Sequence, residues 1–368
     1  MNEKTQPCTH CGAVHPRVNL TWMGSAELCP ECLQRYTVCC DCCGERIWMA
    51  NDYGTHYLHL CASCRADNYV TCENCGALIP QEDAHYNDED EAYCDSCYER
   101  GYGGTIHNYS YKPEPIFYGD GPLYLGVELE VDEAGKDNIN AVQALRAFNQ
   151  ENVYGYVKSD GSLNDGFELV THPCTLETHL QQVPWRETLE ALRGMGYRSH
   201  APGTCGLHVH VSRKALGKDV YEQEETIAKL LYIFERFWQE ILRFSRRTES
   251  QINHWAARYG YKDRGEEILK EAKHGANGRY ACINLTNTDT IEFRVFRGTL
   301  KYNTVIATLQ VVTNLCRVAI SLPEYRIQEF SWPALIEALT QDNCPELVQY
   351  LKERNLYVNE PVTAEREV

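Results

Sequence analysis

The chain has 368 residues, with 52 acidic and 35 basic side chains and a net charge of −17. A surplus of that sign argues against a surface that tracks nucleic-acid phosphates or lies on anionic lipid, and the length exceeds what one hydrophobic core usually organises, so two or more units are expected. No apolar run reaches the ~18 residues that a membrane helix needs, and the opening "MNEKTQPCTH" lacks the apolar segment of an export signal; a cytoplasmic protein with no membrane association is expected.

Fourteen of the 19 cysteines lie between Cys8 and Cys97. The pairs Cys8/Cys11, Cys40/Cys43 and Cys72/Cys75 start 32 residues apart, and a glycine (Gly12, Gly44, Gly76) follows each. Each pair is answered after 17 or 18 residues by a second: Cys29/Cys32, Cys61/Cys64 and Cys94/Cys97. Two cysteines separated by two residues fit one tight turn, and two such turns close a tetrahedral site, so about three structural Zn²⁺ ions held by these twelve thiols are predicted. A unit of roughly 30 residues buries too little apolar surface to fold alone, and metal binding supplies most of its folding energy. Disulfides would need an oxidising compartment. Cys39 and Cys42 offer a shifted register for the second module; the 32-residue period and Gly44 favour Cys40 and Cys43. Residues 1–100 hold 16 acidic and 6 basic residues, a net of −10, which points to a protein partner for the zinc repeats and away from nucleic acid.

Residues 101–122, rich in Gly, Tyr and Pro, read as a linker or strap. From Leu123 strands are predicted at 123–132, 153–158, 166–171, 205–212, 279–286 and 289–297. Helices are predicted at 137–149, 176–194, 220–247, 263–273, 302–321 and 333–354, the last broken at Pro345. Several strands are too polar on one face for a sheet buried on both sides. The expected class is α+β, with a mainly antiparallel sheet backed by helices and open on its polar face. A domain over 123–325 and a helical extension over 326–368 complete the chain.

Three strands carry the chemistry. Side chains alternate along a strand, so "LGVELEV" (125–131) puts Glu128 and Glu130 on one face and Val127, Leu129 and Val131 on the other. "CGLHVHV" (205–211) does the same with His208 and His210, and "TIEFRVFRGTL" (290–300) with Glu292 and Arg294. Carboxylates suit Mg²⁺ or Mn²⁺, and imidazole suits Zn²⁺ or Mn²⁺. "KSDGSLNDGFELVTHP" adds Lys158, Asp160 and Ser162 in a glycine-broken turn and Glu168 on a strand; "KHGANGRYACINL" adds Arg279 after two glycines, then Asn284. Arg279, Arg294 and Arg297 suit phosphate or carboxylate groups, which guanidinium binds bidentately. Metal ligands, arginines and glycine loops together are the parts of a phosphoryl-transfer site.

In order, "LGVELEV", "DGSL…GFELVTHP", "CGLHVHV", "RYACINL" and "TIEFRVFRGTL" resemble the amidoligase family, carboxylate–amine ligases related to glutamine synthetase and glutamate–cysteine ligase; the resemblance runs from about Leu123 to Ile320. It implies a glutamine synthetase-like fold, in which an antiparallel sheet forms a half-open funnel. It also implies ATP and Mg²⁺ (or Mn²⁺) as cofactors, and a reaction in which ATP phosphorylates a carboxylate and an amine displaces phosphate. Carried over by position, Glu128, Glu130, Glu168, His208 and Glu292 would be metal ligands. His210 would contact substrate or phosphate, and Arg279, Arg294 and Arg297 would neutralise phosphates. Lys158, Asp160, Ser162 and Asn284 would contact nucleotide or substrate. The zinc repeats lie outside the resemblance and point to a protein- or carrier-bound substrate. Two rival readings are a metal-dependent amidohydrolase and a non-enzymatic zinc-repeat adaptor with a degenerate ligase domain.

Overall fold

The 32-residue period is a structural period. In the computed structural model, which describes residues 5–87, 90–99, 104–274 and 278–357, the short hairpins Thr5–Pro7/Val14–Pro16, Thr37–Cys39/Arg46–Trp48 and Tyr69–Thr71/Leu78–Pro80 repeat one register, Thr5↔Pro16, Thr37↔Trp48 and Tyr69↔Pro80. Each hairpin turns on its C-x-x-C, and Gly12, Gly44 and Gly76 take φ values of 75°, 74° and 71°. Only glycine adopts that region without cost, and there the amide of each donates to the carbonyl of Cys8, Cys40 or Cys72 at 2.8–2.9 Å. The second pair of each module sits at the start of a short helix, Pro30–Tyr36, Ala62–Asn68 or Asp95–Glu99. These modules form one compact unit, Met1–Gly104; the other is Thr105–Val368.

The second unit is built on a seven-stranded sheet: β1 (Ile106–His107), β2 (Leu125–Val131), β3 (Gly155–Lys158), β4 (Phe167–Thr171), β5 (Gly206–Ser212), β6 (Ile283–Asn284) and β7 (Thr290–Arg297). The spatial order is β1-β3-β4-β2-β5-β7-β6, antiparallel except for the β1–β3 pair. The alternation read from the sequence is what the sheet displays. Leu125, Val127, Leu129 and Val131 are fully buried on the back face of β2, with Leu207, Val209 and Val211 of β5 and Ile291, Phe293 and Val295 of β7 beside them. Each such side chain contributes about 1.5–3 kcal/mol on burial, enough in sum to hold charged groups in line on the opposite face.

Helices cover the back: α1 (Asn138–Phe148), α2 (Leu176–Gln181), α3 (Trp185–Gly194), α4 (Val220–Arg236), α5 (Trp238–Ser245), α6 (Glu249–Trp255), α7 (Gly265–His274), α8 (Tyr302–Ser321), α9 (Glu324–Gln328), α10 (Trp332–Leu339) and α11 (Pro345–Glu353). Asp137, Thr175 and Asp219 cap α1, α2 and α4 by accepting from backbone N–H groups one turn in. By length and composition α8 could cross a membrane, but 83% of its apolar window is buried in the unit, where it touches α4, α10, α11 and β5.

The helix expected over 220–247 breaks at Phe237, whose ψ of 35° ends α4, and α5 stops at Arg246 in the left-handed region (φ 65°). The helix expected over 176–194 is divided at Pro184, which cannot donate to a continuing helix. The strand expected over 279–286 shortens to Ile283–Asn284, because as an edge strand it pairs only with β7. Residues 105–122, expected as a linker or strap, supply β1 at the sheet edge, and Tyr118 exchanges backbone hydrogen bonds with Pro173 and Thr175. Of the expected helical extension, α10 and α11 bury Leu335, Ile336, Leu347 and Leu351 in the same core as α8. Residues 101–103, 358–368 and Gly275 of the glycine loop lie outside the described residues.

Candidate functional site

The three thiol sets can be tested against zinc directly. With a Zn–S bond of about 2.3 Å, tetrahedral ligands stand about 3.8 Å apart. The Cys11–Cys29, Cys43–Cys61 and Cys75–Cys94 sulfurs lie 3.8, 3.8 and 3.9 Å apart, and the four sulfurs of each module lie within 4.8 Å of one another. Backbone N–H groups, that of Cys11 foremost, hold the Cys8 thiol down at about 6, whereas burial and the neighbouring thiols push Cys32 up to about 12. Full ionisation of such a set requires a cation, so the geometry and the chemistry both fit structural zinc. The grouping agrees with the favoured register: Cys40 and Cys43 complete the second set, and Cys39 and Cys42 are exposed outside it.

The open face of the large sheet carries the other cluster. Register places Lys158, Glu168 and Glu130 in one row across β3, β4 and β2, and Glu128 beside His208; a further row runs His210, Glu292, Asn284 across β5, β7 and β6. His208 Nδ1 lies 3.3 Å from Glu128, 3.5 Å from Glu292 and 3.9 Å from Glu130. His210 Nε2 lies 3.2 Å from Glu128 and 3.9 Å from Glu292, while its Nδ1 meets the Thr290 hydroxyl at 3.2 Å. Lys158 Nζ is 3.4 Å from Glu168, and Arg294 pairs with Glu292. Asn284, buried, donates to Glu292 at 2.7 Å while its Oδ1 accepts from Thr286, which fixes the carboxylate's orientation.

This crowding sets the protonation pattern. Burial opposes ionisation of Glu128, but His210 and His208 outweigh it and hold its carboxyl well below the ordinary range; Glu292 is lowered for the same reason. Burial raises Glu130, and burial together with the Glu128 charge raises Glu168 well above the usual carboxylate range. For His210 burial opposes the charge, yet Glu128 and Glu292 raise it.

Two three-ligand groups emerge, Glu128/His210/Glu292 and Glu128/Glu168/His208, each with ligand atoms within 4.8 Å of one another and with Glu128 in both. His210 Nε2 is buried and, despite the nearby Glu128 oxygen, makes no aligned hydrogen bond. A nitrogen left that way beside converging carboxylates fits a divalent cation.

These groups floor a cavity of about 1200 Å³. Tyr109, Lys112 and Pro113 of the segment before β2 form part of its rim. Asp160 accepts from the Ser162 amide at 2.7 Å and from its hydroxyl, so the two lock their own turn at the cavity wall. Arg279 lies at the rim, bonded to the Tyr109 and Tyr280 hydroxyls. Arg297, expected with the phosphate-binding arginines, is not among the lining residues; a bulge where β5 and β7 meet between Leu207 and Val209 sends it toward the Arg246 carbonyl, 3.5 Å away. Arg247 takes the inner position. It is 6% exposed, its Nε is buried without a partner, and burial lowers it to about 10. Gly206 makes that approach possible: a Cβ there would stand 2.4 Å from His208 Nε2 and 2.9 Å from Arg247 Nη2. Arg247 was missed in the sequence, where the Arg246-Arg247 doublet closing a long helical stretch was its one sign. Cys205 is buried and pushed up to about 12, which rules against a thiolate nucleophile.

The open face of the sheet thus gathers four glutamates, two histidines and several cations, a donor set that could hold divalent metal and meet anionic groups. Residues 146–316 match the model of the family described as "Putative amidoligase enzyme". Over that stretch, a little under half of the chain, the second unit is similar to that family; Glu128 and Glu130 precede the matched stretch and join it through the sheet. No curated protein matches the chain. Two solved structures similar over 63% of the chain are a bifunctional glutathione synthetase from Pasteurella multocida (15% identity, TM-score 0.32) and the complex between the prokaryotic ubiquitin-like protein Pup and its ligase PafA (10% identity, TM-score 0.30). The chain spans 46% and 62% of those chains, respectively, and likenesses of this size fix neither substrate nor partner.

Proposed function

We propose that this protein is an ATP-dependent carboxylate–amine ligase: ATP phosphorylates a carboxylate, and an amine displaces phosphate from the acyl phosphate to leave an amide. The observation that carries the reading is Glu128, shared between two three-ligand groups on the floor of a cavity lined by cations. Glu128, His210 and Glu292 would hold one Mg²⁺ or Mn²⁺ ion and Glu128, Glu168 and His208 another, with Glu130 beside them. Ions bound there would supply charge neutralisation for phosphate oxygens. Arg247 and Arg294 set guanidinium groups around the same floor, where excess negative charge on a transferring phosphoryl group would be stabilised. Asn284 acts by holding Glu292. Lys158 neutralises Glu168, and the Asp160–Ser162 turn and Arg279 are placed at the wall and rim to meet nucleotide or substrate. The sheet would serve as a half-open funnel, entered over its polar face.

A hydrolase would need the metals but would leave these cations without a task. The acidic zinc modules, with Val18 and Trp22 exposed on the first and Tyr57 on the second, suit the capture of a protein- or carrier-bound substrate. The test is ATP binding by zinc-loaded protein, with and without Mg²⁺, for wild type and Glu128→Gln. Mg²⁺-dependent binding weakened about 10–100-fold in the variant supports the ligase. Absence of Mg²⁺-dependent binding in folded wild type removes it and leaves the amidohydrolase or the adaptor.

A further inference from the structure

A second cavity, of about 580 Å³, opens in the same unit among α3, the segment 197–201, the start of α8 and the end of α11, and shares no lining residue with the first. Its walls carry Arg186, Arg193, Arg198, Arg246, Lys301 and Arg354 against two carboxylates, Glu190 and Glu353. Glu353 is already engaged by Lys301 at 2.8 Å. Among the described residues, Arg186, Arg193 and Arg198 have no ion-pair partner. The Arg186 guanidinium lies 3.5 Å from the centre of the Tyr302 ring, which holds it in place without neutralising it. Arg246 is anchored by donating to the Arg297 and Gly298 carbonyls and lies 3.1 Å from His200 Nδ1, yet its Nε is buried with no partner. Burial, then Arg297 and Arg246, lower His200, so the ring is kept as an acceptor and adds no charge of its own.

Six cations against two carboxylates in one hollow of a chain whose net charge is −17 is a local inversion of sign. Guanidinium groups held together without counter-ions repel one another, and the arrangement is relieved by an anion that several of them can grip bidentately.

We propose that this cavity is a binding site for a small ligand bearing several phosphate charges, separate from the catalytic floor. Arg186, Arg193 and Arg198 form its outer grip and Arg246 its inner end. The site stands on its own geometry and does not depend on the ligase reading.

Titration calorimetry with inorganic pyrophosphate tests it, using the full chain as wild type, as the double variant Arg186→Ala/Arg193→Ala, and as Arg294→Gln in the catalytic cavity. Arg186 and Arg193 are exposed, so the double variant is expected to fold. With no Mg²⁺ or Mn²⁺ added, so that the catalytic floor lacks the ions its phosphate binding requires, wild type and Arg294→Gln should bind pyrophosphate alike, and the double variant about tenfold or more weakly with a shallower salt dependence. Absence of binding by wild type overturns the proposal. So does binding that survives the double variant and is lost in Arg294→Gln, which would assign pyrophosphate to the catalytic cavity. Citrate binding as tightly through the same arginines would overturn the assignment to phosphate.

Discussion

The two units solve the same problem, several acidic ligand groups forced together, by opposite means. In the first unit the thiols of each set lie within one module of the chain, and a zinc ion held there would replace a core that so short a repeat cannot build. In the second unit Glu128 and Glu292 are 164 positions apart, and a large apolar core brings them together before any ion arrives. One region is organised by its ligand; the other is organised for it. Chelation should therefore unfold the first and leave the second standing.

That contrast can be broken most severely at zinc, where a structural ion in a small module supplies about 10–16 kcal/mol of apparent folding energy. Cys40→Ser should lower bound zinc from three to two per chain by elemental analysis and expose the second module to proteolysis, whereas Cys39→Ser should keep all three; the reverse outcome would restore the shifted register.

The core of the second unit offers a smaller, pH-dependent effect. His179 is buried under β2, its Nε2–H donating to the Leu125 carbonyl at 3.1 Å and its Nδ1 accepting from the Trp185 indole at 3.3 Å. Burial lowers its pKa to about 4. An unfolded imidazole titrates near 6.5, so below that pH the unfolded chain takes up a proton that the native state refuses. The stability tied to neutral His179 is complete above about pH 6.5 and is lost as the pH falls toward 4, by about 3 kcal/mol in all. Denaturant titrations across that range should show the loss, and His179→Gln should flatten it.

The smallest expected effect sharpens the idea of a preformed site. Asn284→Ala leaves Glu292 paired with Arg294 but without its shortest amide hydrogen bond, and Mn²⁺ affinity should fall about 10–100-fold, or about 1.4–2.8 kcal/mol, with no change in zinc content. Unchanged Mn²⁺ affinity would mean that Asn284 serves only the β6 edge.

What was legible in the sequence follows the same division. The zinc register could be read because every determinant is local: the spacing, the period and the glycine that permits positive φ. The pairs Glu128/Glu130, His208/His210 and Glu292/Arg294 were also readable, since alternation along a strand needs no partner. Arg297 was not. Strict alternation from Glu292 would turn Phe296 outward and Arg297 into the core; the bulge inserts one residue, buries Phe296 and swings Arg297 out beside Arg246. Arg247 depends on a helix break at Phe237, a left-handed residue at its end and a missing side chain at Gly206, three events far apart in sequence.

The two-residue strand β1 has a consequence for how the protein survives in solution. It caps β3 through Ile106↔Val157 and His107↔Lys158. A chain shortened to begin at Leu123, where the strand pattern of the sequence starts, would strip that cover and present the outer backbone edge of β3 as a template for other chains. By covering that edge, the segment 105–122 would also guard the sheet against aggregation.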